Sequence, residues 1–484
     1  MKLTFLVPPC YDNKQPAERS AGCTRVVYPM INIYELTAAA ALRDMGGHEV
    51  DYQDFVFAGT GKASEDAFDK FLQTDKSDVY LIWTVNLSLD SDLHAISVLR
   101  KYHPATPIVL MGPGATYFIK RALNDDPHVY IVRGEPELTL LELLEALSAG
   151  KKPEGIAGVT YLDNTRKIVN NPSRPLNDNL DALPFPARDL LKGRVYHNPK
   201  LKTGPYTTMF TSRNCPYKCI YCVPSSLTFA REIEFRKDHG RKPTIGFRSI
   251  ESIKKEVDML AAQGVKAIGF MDDNFIWNEE RTKAICDILR PHGIVWGCQA
   301  RVDAITEPIA KMLGESGCRY VDLGIESFDE GILKYIKKGI TPDDIRRSIA
   351  LLKKYNVPVK LNVLIGSSPL ETRATIRHTL KEAKRLDVDQ VMFNIVSPFP
   401  GTEYYEICKQ NGWIKGNEYR PTDVQHESIL NLPNISAEEM EKMLFRNNLS
   451  YFLSPRFIAK QLRRFSSWSE FKAASKALKL KLFH

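Results

Sequence analysis

The sequence predicts an α/β protein with two consecutive runs of alternating strands and helices and a helical C-terminal region. Short apolar runs alternate with helical patterns over residues 1–145, and a second alternation fills residues 201–400. Between them, residues 146–200 are rich in Pro, Asn and Asp, and a hairpin is predicted around Gly158–Val169. Helical patterns dominate residues 401–484. We therefore expect a sheet domain, a linker with a hairpin, a second βα domain and a helical end.

The first alternation contains five strand-like runs separated by helical patterns. The runs are Leu3–Val7, Glu49–Gln53, Val79–Trp83, Ile108–Met111 and Val129–Val132. The helical stretches are Ile33–Met45, Ser64–Leu72, Ser91–Tyr102 and Glu137–Leu147. Such alternation predicts a parallel sheet covered by helices, in which ligands bind at the carboxyl ends of the strands.

The second alternation contains six strand candidates. They are Tyr206–Phe210, Ala267–Met271, Ile294–Cys298, Tyr320–Gly324, Val359–Ile365 and Gln390–Ser397. Helical patterns such as Ser249–Gln263 and Thr306–Glu315 separate them. Six βα units predict a partial (β/α)6 barrel, whose functional residues lie where the strands end.

The net charge of +8 is unevenly distributed along the 484 residues. Residues 455–484 hold eight Lys or Arg and one acidic residue, so the remainder is nearly neutral. A nearly neutral body excludes nucleic acid as the expected partner. The basic tail suits contact with an anionic membrane surface, and the alternative is a solvated helix that packs one face on the barrel.

No targeting or membrane-spanning segment is predicted. The N-terminal residues MKLTFLVPPC hold too short an apolar run for a signal peptide, and they read better as a core strand. No run of about 18 apolar residues occurs, so no transmembrane helix is expected. We expect a cytoplasmic protein whose tail is its only candidate for peripheral membrane contact.

Three of the nine cysteines lie within eight residues, directly after the first strand of the second alternation. They are Cys215, Cys219 and Cys222, in a CxxxCxxC pattern. Thiolates are the usual ligands of iron–sulfur clusters, and three of them leave one iron of a [4Fe–4S] cluster open. An open iron can bind a small molecule and pass an electron to it.

Structural zinc is the alternative interpretation of these thiols, and unrelated structural cysteines are another. Zinc would need a fourth ligand, for which Cys286, Cys298 or Cys318 are candidates. Zinc sites usually pair a CxxC with a second CxxC or a His pair, and the sequence has neither. In a cytoplasmic protein, a disulfide framework is not expected.

The cysteine segment resembles the radical S-adenosylmethionine (SAM) superfamily, whose members share CxxxCxΦC with an aromatic residue at Φ. Tyr221 stands at that position. The resemblance implies that Cys215, Cys219 and Cys222 ligate a [4Fe–4S] cluster and that SAM binds its open iron. Reductive SAM cleavage would then give a 5′-deoxyadenosyl radical that abstracts hydrogen. It also implies an electron donor such as a flavodoxin or a ferredoxin.

Further segments at the strand ends are similar to the same superfamily. These are MDDNF after the second strand, QARVD after the third, GIES after the fourth, LIGSSPLET after the fifth and PFPGT after the sixth. The first departs from the commoner GGE, and Leu370 replaces a glycine in the fifth-strand motif. Helix capping and structural ion pairs are the alternative roles for the carboxylates and the arginine. The resemblance implies SAM contacts by Tyr221, Asp272, Asp273, Asn274, Arg301, Glu326, Ser327 and Gly366.

Residues 1–145 resemble the Rossmann-like, flavodoxin-like cobalamin-binding domain of the B12-binding radical SAM branch. The similar features are PP after the first strand, GHEV before the second, GPG after the fourth, GEPELT after the fifth, and the interdomain phrase LPFPARD. The D-x-H-x-x-G motif is absent, and neither His48 nor His94 is expected to ligate cobalt. A vestigial first domain is therefore the alternative. The resemblance implies cobalamin contacts by Pro9, Gly112, Gly114, Gly134 and Glu135.

The resemblance implies a cobalamin-dependent radical SAM enzyme that methylates an unactivated carbon of a small-molecule or lipid-like substrate. Radical cyclisation, rearrangement or oxidation is an alternative within the same architecture. An alternative of another class is a non-catalytic iron–sulfur or zinc-binding interaction protein. The ordered motifs at the strand ends argue against that class, because a structural site would need the cysteines alone.

Overall fold

The computed structural model describes residues 1–12, 15–25, 29–57, 61–420 and 422–462. Most of the predicted basic tail, residues 463–484, lies outside this described part. The chain forms two compact units. The first comprises residues 1–216, 223–275 and 284–296, and the second comprises residues 217–222, 276–283 and 297–484.

A seven-stranded sheet forms the N-terminal part of the first unit. Its strands are β1 (Lys2–Val7), β2 (Glu49–Asp54), β3 (Val79–Trp83), β4 (Ile108–Met111), β5 (Val129–Val132), β6 (Val159–Leu162) and β7 (Ile168–Asn170). Their order is β2-β1-β3-β4-β5-β6-β7. The first five are parallel, in the flavodoxin-like order, and β6 and β7 add an antiparallel hairpin. The predicted Rossmann-like sheet and the predicted hairpin are both confirmed.

Helices cover this sheet. They are α1 (Ile33–Ala40), α2 (Lys62–Thr74), α3 (Leu89–Tyr102), α4 (Pro113–Tyr117), α5 (Ile119–Leu123) and α6 (Glu137–Ser148), and a π-helical segment, Ala41–Met45, continues α1. The core lies between sheet and helices and includes the fully buried β3 run VYLIW. The short helices α4 and α5 were not predicted from the sequence, because five residues are too few to show a helical period.

The second sheet has the six strands predicted for the barrel, in the order β15-β14-β13-β12-β11-β8, and a separate two-stranded sheet pairs β9 with β10. The strands are β8 (Tyr206–Met209), β9 (Ser212–Arg213), β10 (Gly246–Phe247), β11 (Ala267–Phe270), β12 (Val295–Ala300), β13 (Cys318–Glu326), β14 (Val359–Ile365) and β15 (Gln390–Ile395). The pairings of β8 with β11, β13 with β14, and β14 with β15 are parallel. The expected barrel-like α/β architecture is confirmed.

Ten helices accompany and follow these strands within the described residues. They are α7 (Ser226–His239), α8 (Ile250–Ala262), α9 (Glu279–Leu289), α10 (Glu307–Glu315), α11 (Glu330–Tyr335), α12 (Pro342–Lys354), α13 (Arg373–Arg385), α14 (Glu403–Gln410), α15 (Ala437–Phe452) and α16 (Pro455–Leu462). Short 3-10 helices span Leu180–Ala182, Arg188–Leu191, Arg290–His292, Val302–Ala304 and Lys415–Asn417. Of the helices in these ranges, none is both long and apolar enough to cross a bilayer.

Hydroxyl side chains define where the barrel helices begin. Thr341, Thr372 and Ser436 each accept a hydrogen bond from a backbone N–H three residues later, at the starts of α12, α13 and α15. A reciprocal bond completes a capping box at each position. Such caps pair backbone donors that a helix leaves unsatisfied, and they place the preceding strand–helix loops.

Candidate cluster and cofactor site

The loop between β9 and α7, residues 214–225, contains no helix or strand and carries the three predicted cluster ligands. Cys215, Cys219 and Cys222 are reduced thiols and all are partly exposed. In the described part of the chain, no three Cys, His, Asp or Glu side chains converge into a ready-made metal site. The donor set is what fits the cluster, because three accessible thiols within eight residues supply three ligands and leave one iron open.

The zinc alternative finds no support among the described residues. Its candidate fourth ligands, Cys286, Cys298 and Cys318, are fully buried. The Cys318 thiol lies 3.4 Å from the backbone oxygen of Tyr320. Cys286 lies within α9, and Cys298 and Cys318 lie within β12 and β13, so each belongs to a regular element and not to the cysteine loop.

In the second unit, residues Ile336–Gly339, here called the lysine turn, lie along the cysteine loop. The backbone N–H of Ile220 donates to the Ile336 oxygen at 3.2 Å. The Cys219 sulfur lies 3.7 Å from the backbone oxygen of Lys337. One backbone hydrogen bond and one thiol–carbonyl contact thus link the lysine turn to the middle of the loop.

Two charged side chains meet the aromatic residue of the motif. Lys338 Nζ lies 2.8 Å from Glu326 Oε1 and 3.4 Å from the Tyr221 hydroxyl. Glu326 ends β13 with a φ of +60°. Gly324 is required beneath this pair, since a Cβ there would lie 2.5 Å from Glu326 Oε1 and 3.0 Å from Lys338 Nζ. Burial, followed by the charge of Glu326, raises the pKa of Tyr221 well above its ordinary value.

Arg301 follows β12 and also contacts the cysteine loop. Its guanidinium lies 3.7 Å from the ring centroid of Tyr217, a cation–π contact. It pairs with Asp303 through two bonds of 2.9 Å, and its Nη2 donates to the Lys338 oxygen at 2.7 Å. Arg301 therefore makes the structural ion pair that the sequence left as an alternative, beside the loop on which the cluster would assemble.

Ser327 and Gly366, both predicted SAM contacts, have partners within the second unit. The Ser327 hydroxyl accepts from the Asp329 N–H and lies 3.0 Å from the Thr379 hydroxyl. Gly366 has a φ of +81°, and its N–H donates to Glu371 at 2.8 Å. Burial raises the pKa of Glu371 to about 7.

In the first unit, Asp272 lies directly after β11 and is buried. Its Oδ1 accepts from both hydroxyls of Thr211 and Ser212 at 2.6 Å, and the Thr211 N–H donates to its two carboxylate oxygens at 3.0 and 3.1 Å. Asp272 therefore holds, through hydrogen bonds, the residues that follow β8 and lead into the cysteine loop.

Asp273 and Asn274 complete this strand end. Asp273 accepts from the Ser225 N–H at 2.6 Å and from the Thr228 hydroxyl at 2.5 Å. These donors stand at the start of α7, so Asp273 serves the helix start, the alternative that the sequence left open for carboxylates. Asn274 is buried.

The glycines predicted to approach cobalamin pack against the chain itself. A Cβ at Gly112 would lie 2.6 Å from the Thr84 oxygen, and one at Gly114 would lie 2.9 Å from Val85 backbone atoms. Both glycines are thus required by the loop after β3. Gly134 has a φ of +72°, and a Cβ added there would have Glu234 as its nearest neighbour, at 3.8 Å.

A small cavity of about 10 Å³ lies at the carboxyl end of β1 and β3. Its lining includes Pro9, Arg19, Arg25 and Ser88. A cavity of this size holds about one water molecule, and Arg19 and Arg25 are already paired with Asp92 and Asp12. Of the cobalamin candidates, Pro9 alone lines it, so the fit of this sheet end to cobalamin rests on its polar lining and not on its volume.

Glu135, the remaining cobalamin candidate, lies in a buried ion network that sequence reasoning missed. Its Oε1 lies 2.8 Å from Arg213 Nη1 and 3.0 Å from Arg231 Nε. Glu137 Oε1 lies 2.6 Å from Arg213 Nη2. Burial alone would raise the pKa of Glu135, but Arg231 and Arg213 hold it below its ordinary value.

The comparisons with known proteins agree with this geometry. The sequence profile of the Radical SAM superfamily matches residues 209–383. An uncharacterized methyltransferase of Pyrococcus horikoshii is 34% identical over 384 residues, which cover 78% of this chain and 80% of the relative. The chain belongs to the radical SAM superfamily. The superfamily resemblance inferred from CxxxCxΦC is thereby confirmed, and a [4Fe–4S] cluster and SAM are the cofactors of this radical SAM enzyme.

Two other similar proteins extend the comparison. The anaerobic magnesium-protoporphyrin IX monomethyl ester cyclase of Rubrivivax gelatinosus is 24% identical over 368 residues, which cover 73% of this radical SAM protein and 63% of the cyclase. The solved structure of OxsB, a cobalamin-dependent SAM radical enzyme with aqua-cobalamin and SAM bound, has a TM-score of 0.69 at 16% identity. That match covers 100% of this chain and 71% of OxsB, and it shows a shared fold.

The lysine turn and the cation–π contact are the parts of the site that the sequence did not reveal. Lys338 stands in the run IKKG, where nothing distinguishes it from its neighbour Lys337. Only the structure separates the two, because Lys338 is buried whereas the side chain of Lys337 is half exposed and pairs with Glu403.

Proposed function

We propose that this radical SAM protein is a cobalamin-dependent methyltransferase that acts on an unactivated carbon of a small molecule. The observation that carries the proposal is the combination, in one chain, of an accessible three-thiol loop and a flavodoxin-like sheet with a polar cavity at its carboxyl end. The methyltransferase name of the Pyrococcus horikoshii relative and the cobalamin bound in OxsB support it.

The chain's own residues would hold and orient these cofactors. Cys215, Cys219 and Cys222 would ligate the cluster, which with SAM supplies radical hydrogen abstraction when bound. Glu326 lies directly beside the cysteine loop, where it can accept hydrogen bonds from SAM. Asp272 and Asp273 would act by holding the strand end and the start of α7, since their oxygens already accept bonds from the chain.

The remaining candidates divide between the two cofactors. For SAM, we retain the aromatic ring of Tyr221 and the residues Asn274, Arg301, Ser327 and Gly366. For cobalamin, we retain Pro9, Gly112, Gly114, Gly134 and Glu135, of which Pro9 lines the cavity.

The half-buried face of β14 and β15 carries side chains available to a substrate. Helices α12 and α13 pack on β14, and the strand's residues alternate between buried and half-buried. The half-buried positions include Asn362 on β14 and Asn394 on β15. Neither side-chain amide is hydrogen-bonded within the described residues. The same positions include the apolar residues Leu364 and Met392, so this face suits a substrate with both polar and apolar parts.

Radical ring formation is the second candidate, because the Rubrivivax gelatinosus cyclase is among the similar proteins. The two reactions differ in their products. Methyl transfer from SAM yields S-adenosylhomocysteine together with 5′-deoxyadenosine, whereas cyclisation yields 5′-deoxyadenosine without a matching amount of S-adenosylhomocysteine. A flavodoxin or ferredoxin would supply the electron in either case.

The test is the cofactor content of protein purified without oxygen from cells supplied with cobalamin. We expect about four irons per chain and one corrin for the wild type, loss of iron in Cys219→Ala, and unchanged iron in the matched control Cys23→Ala. S-adenosylhomocysteine would then be quantified against 5′-deoxyadenosine. Iron without corrin would contradict the cobalamin proposal, and iron retained in Cys219→Ala would contradict the cluster assignment.

Membrane contact through the basic tail remains a separate proposal. Its support is the excess of Lys and Arg over acidic residues in residues 455–484. Full-length protein and a 1–454 truncation would be co-sedimented with anionic vesicles. Equal binding of the two proteins would contradict it.

A further inference from the structure

The hydroxyl of Tyr221 has a partner that the cysteine motif does not require. The motif asks only for an aromatic ring at this position, and a phenylalanine would satisfy it. In this chain the Tyr221 hydroxyl lies 3.4 Å from Lys338 Nζ. The motif therefore does not explain why a buried lysine ammonium, that of Lys338, lies beside Tyr221.

Lys338 is a buried cation with a single carboxylate partner among the described residues. Its side chain and that of Glu326 are each 9% exposed, and the two charged atoms are 2.8 Å apart. A carboxylate at this distance favours the charged ammonium form of a buried lysine.

This charge lies close to the cluster ligands. The turn that carries Lys338 contacts the loop at Cys219, whose sulfur lies 3.7 Å from the Lys337 oxygen. The Lys338 ammonium reaches the same loop at Tyr221. The side chain of the neighbouring Lys337 is 50% exposed and pairs with Glu403. The two adjacent lysines thus differ in their burial and in their partners, which makes Lys337 a suitable control for Lys338.

We propose that Lys338 is a positioning residue that raises the reduction potential of the cluster held by Cys215, Cys219 and Cys222, and that Glu326 and the Tyr221 hydroxyl hold it in place. The inference rests on cluster binding by these cysteines. The step is the transfer of one electron from an external reductant to the cluster, and no bond forms or breaks. A nearby fixed cation favours the reduced cluster, which carries one more negative charge.

Coulomb's law sets the expected size of the effect. At an effective permittivity of about 20, a unit charge about 12 Å from the cluster changes the ratio of reduced to oxidised forms about tenfold. Removing the cation in Lys338→Met should therefore lower that ratio about tenfold at a fixed potential, which corresponds to about 59 mV for one electron. Removing the anion in Glu326→Gln should raise the ratio.

The experiment is a reductive titration of the reconstituted full-length protein, followed by electron paramagnetic resonance, without SAM or substrate. We expect Lys338→Met to shift the potential down, Lys338→Arg to restore it, and the control Lys337→Met to match the wild type. Tyr221→Phe should shift it in the same direction as Lys338→Met but by less, because the ammonium loses one of its two side-chain contacts. Equal potentials for Lys338→Met and Lys337→Met would overturn the inference.

Iron content separates this inference from the proposed function. A wild type that assembles no cluster would contradict cluster binding itself. If Lys338→Met is the only variant that fails to assemble a cluster, the Glu326→Gln variant tests the inference instead. The inference requires the cluster in Glu326→Gln to have a higher reduction potential than the wild-type cluster. A potential equal to or below the wild type in Glu326→Gln would then refute the role of the charge pair.

Discussion

Glu135 offers the sharpest test of whether a predicted cofactor residue is instead part of the fold. The substitution Glu135→Ala removes the carboxylate that pairs with Arg231 at 3.0 Å and with Arg213 at 2.8 Å. Arg213 keeps Glu137, whereas Arg231 is left without a carboxylate partner among the described residues. The Arg231 side chain is 1% exposed, so its charge would remain buried, with only the more distant carboxylates of Glu137 and Asp273 acting on it.

Breaking a buried ion pair on one side costs about 3–5 kcal/mol, because the other charge stays desolvated. The exposed helix pair Lys62–Asp66, with side chains 76% and 51% exposed, is the matched control. Its removal by Asp66→Ala should have little effect on stability, because solvent screens an exposed ion pair. Glu135→Ala should therefore lower the free energy of unfolding several times more than Asp66→Ala does.

The assay is denaturant unfolding of the cofactor-free protein, followed by the fluorescence of its tryptophans, of which Trp83 is fully buried in the same unit. The double variant Glu135→Leu with Arg231→Met should recover most of the loss, because apolar side chains of similar volume replace buried ion pairs at little cost. A loss below about 1 kcal/mol for Glu135→Ala would refute the reasoning. If Glu135→Ala lowered the free energy of unfolding only when cobalamin is present, Glu135 would instead be a cofactor contact.

The other predictions concern the second unit. Gly297→Ala should lower the free energy of unfolding by about 1–3 kcal/mol, because the added Cβ would lie 2.2 Å from the Tyr320 ring. Combining it with Tyr320→Leu in the same chain should reduce that loss of stability. Gly366→Ala should destabilise more than Gly412→Ala in thermal unfolding, because both have positive φ but only Gly366 has atoms within 4 Å of the new Cβ; equal losses would contradict this. Glu371, with its pKa raised from 4.5 to about 7, should contribute stability that is complete below pH 4.5 and is lost as the pH rises through about 7. Relative to Glu371→Gln, the wild type should thus lose on the order of 3 kcal/mol between pH 4.5 and 8, and parallel pH profiles would contradict it.

The strands could be predicted closely because their apolar runs are bounded by turn residues. β3, β4 and β14 have the predicted bounds, Val79–Trp83, Ile108–Met111 and Val359–Ile365. Each is a run of mostly β-branched or aliphatic residues, and local pattern alone suffices for such a strand.

The segment Ser225–Thr244 shows where local pattern fails. Basic and aromatic residues are mixed along this segment, and the structure forms α7 there, with Ser226–Glu234 buried. Charged residues in a helix normally indicate a solvated face. Arg231 and Glu234 are instead buried against charges from distant segments, Glu135 and Arg133, and no local periodicity can reveal such pairing.

The candidate site likewise has one part that could be predicted from the sequence and another that could not. The three thiols could be recognised from the sequence as candidate ligands, because they lie within one stretch of eight residues. The surroundings of the loop could not be predicted from the sequence, because Lys338 lies 117 residues after Tyr221 and contacts it only in the folded chain. The residue types of the strand-end motifs could be recognised, but their hydrogen bonds to the chain could not, since Asp272 acts on residues 61 and 60 positions earlier, just after β8.

The buried charge pairs explain how a loop without secondary structure can present three ligands. Ordering a residue costs about 1–2 kcal/mol of backbone entropy, so a loop of this kind needs contacts that hold it. Arg213, two residues before Cys215, is held by two carboxylates in the first unit. Tyr221, directly before Cys222, contacts the Lys338–Glu326 pair in the second. Ion pairs are costly to bury but directional, and at these two positions directionality matters more than net stability, because the thiols must reach a cluster of fixed dimensions.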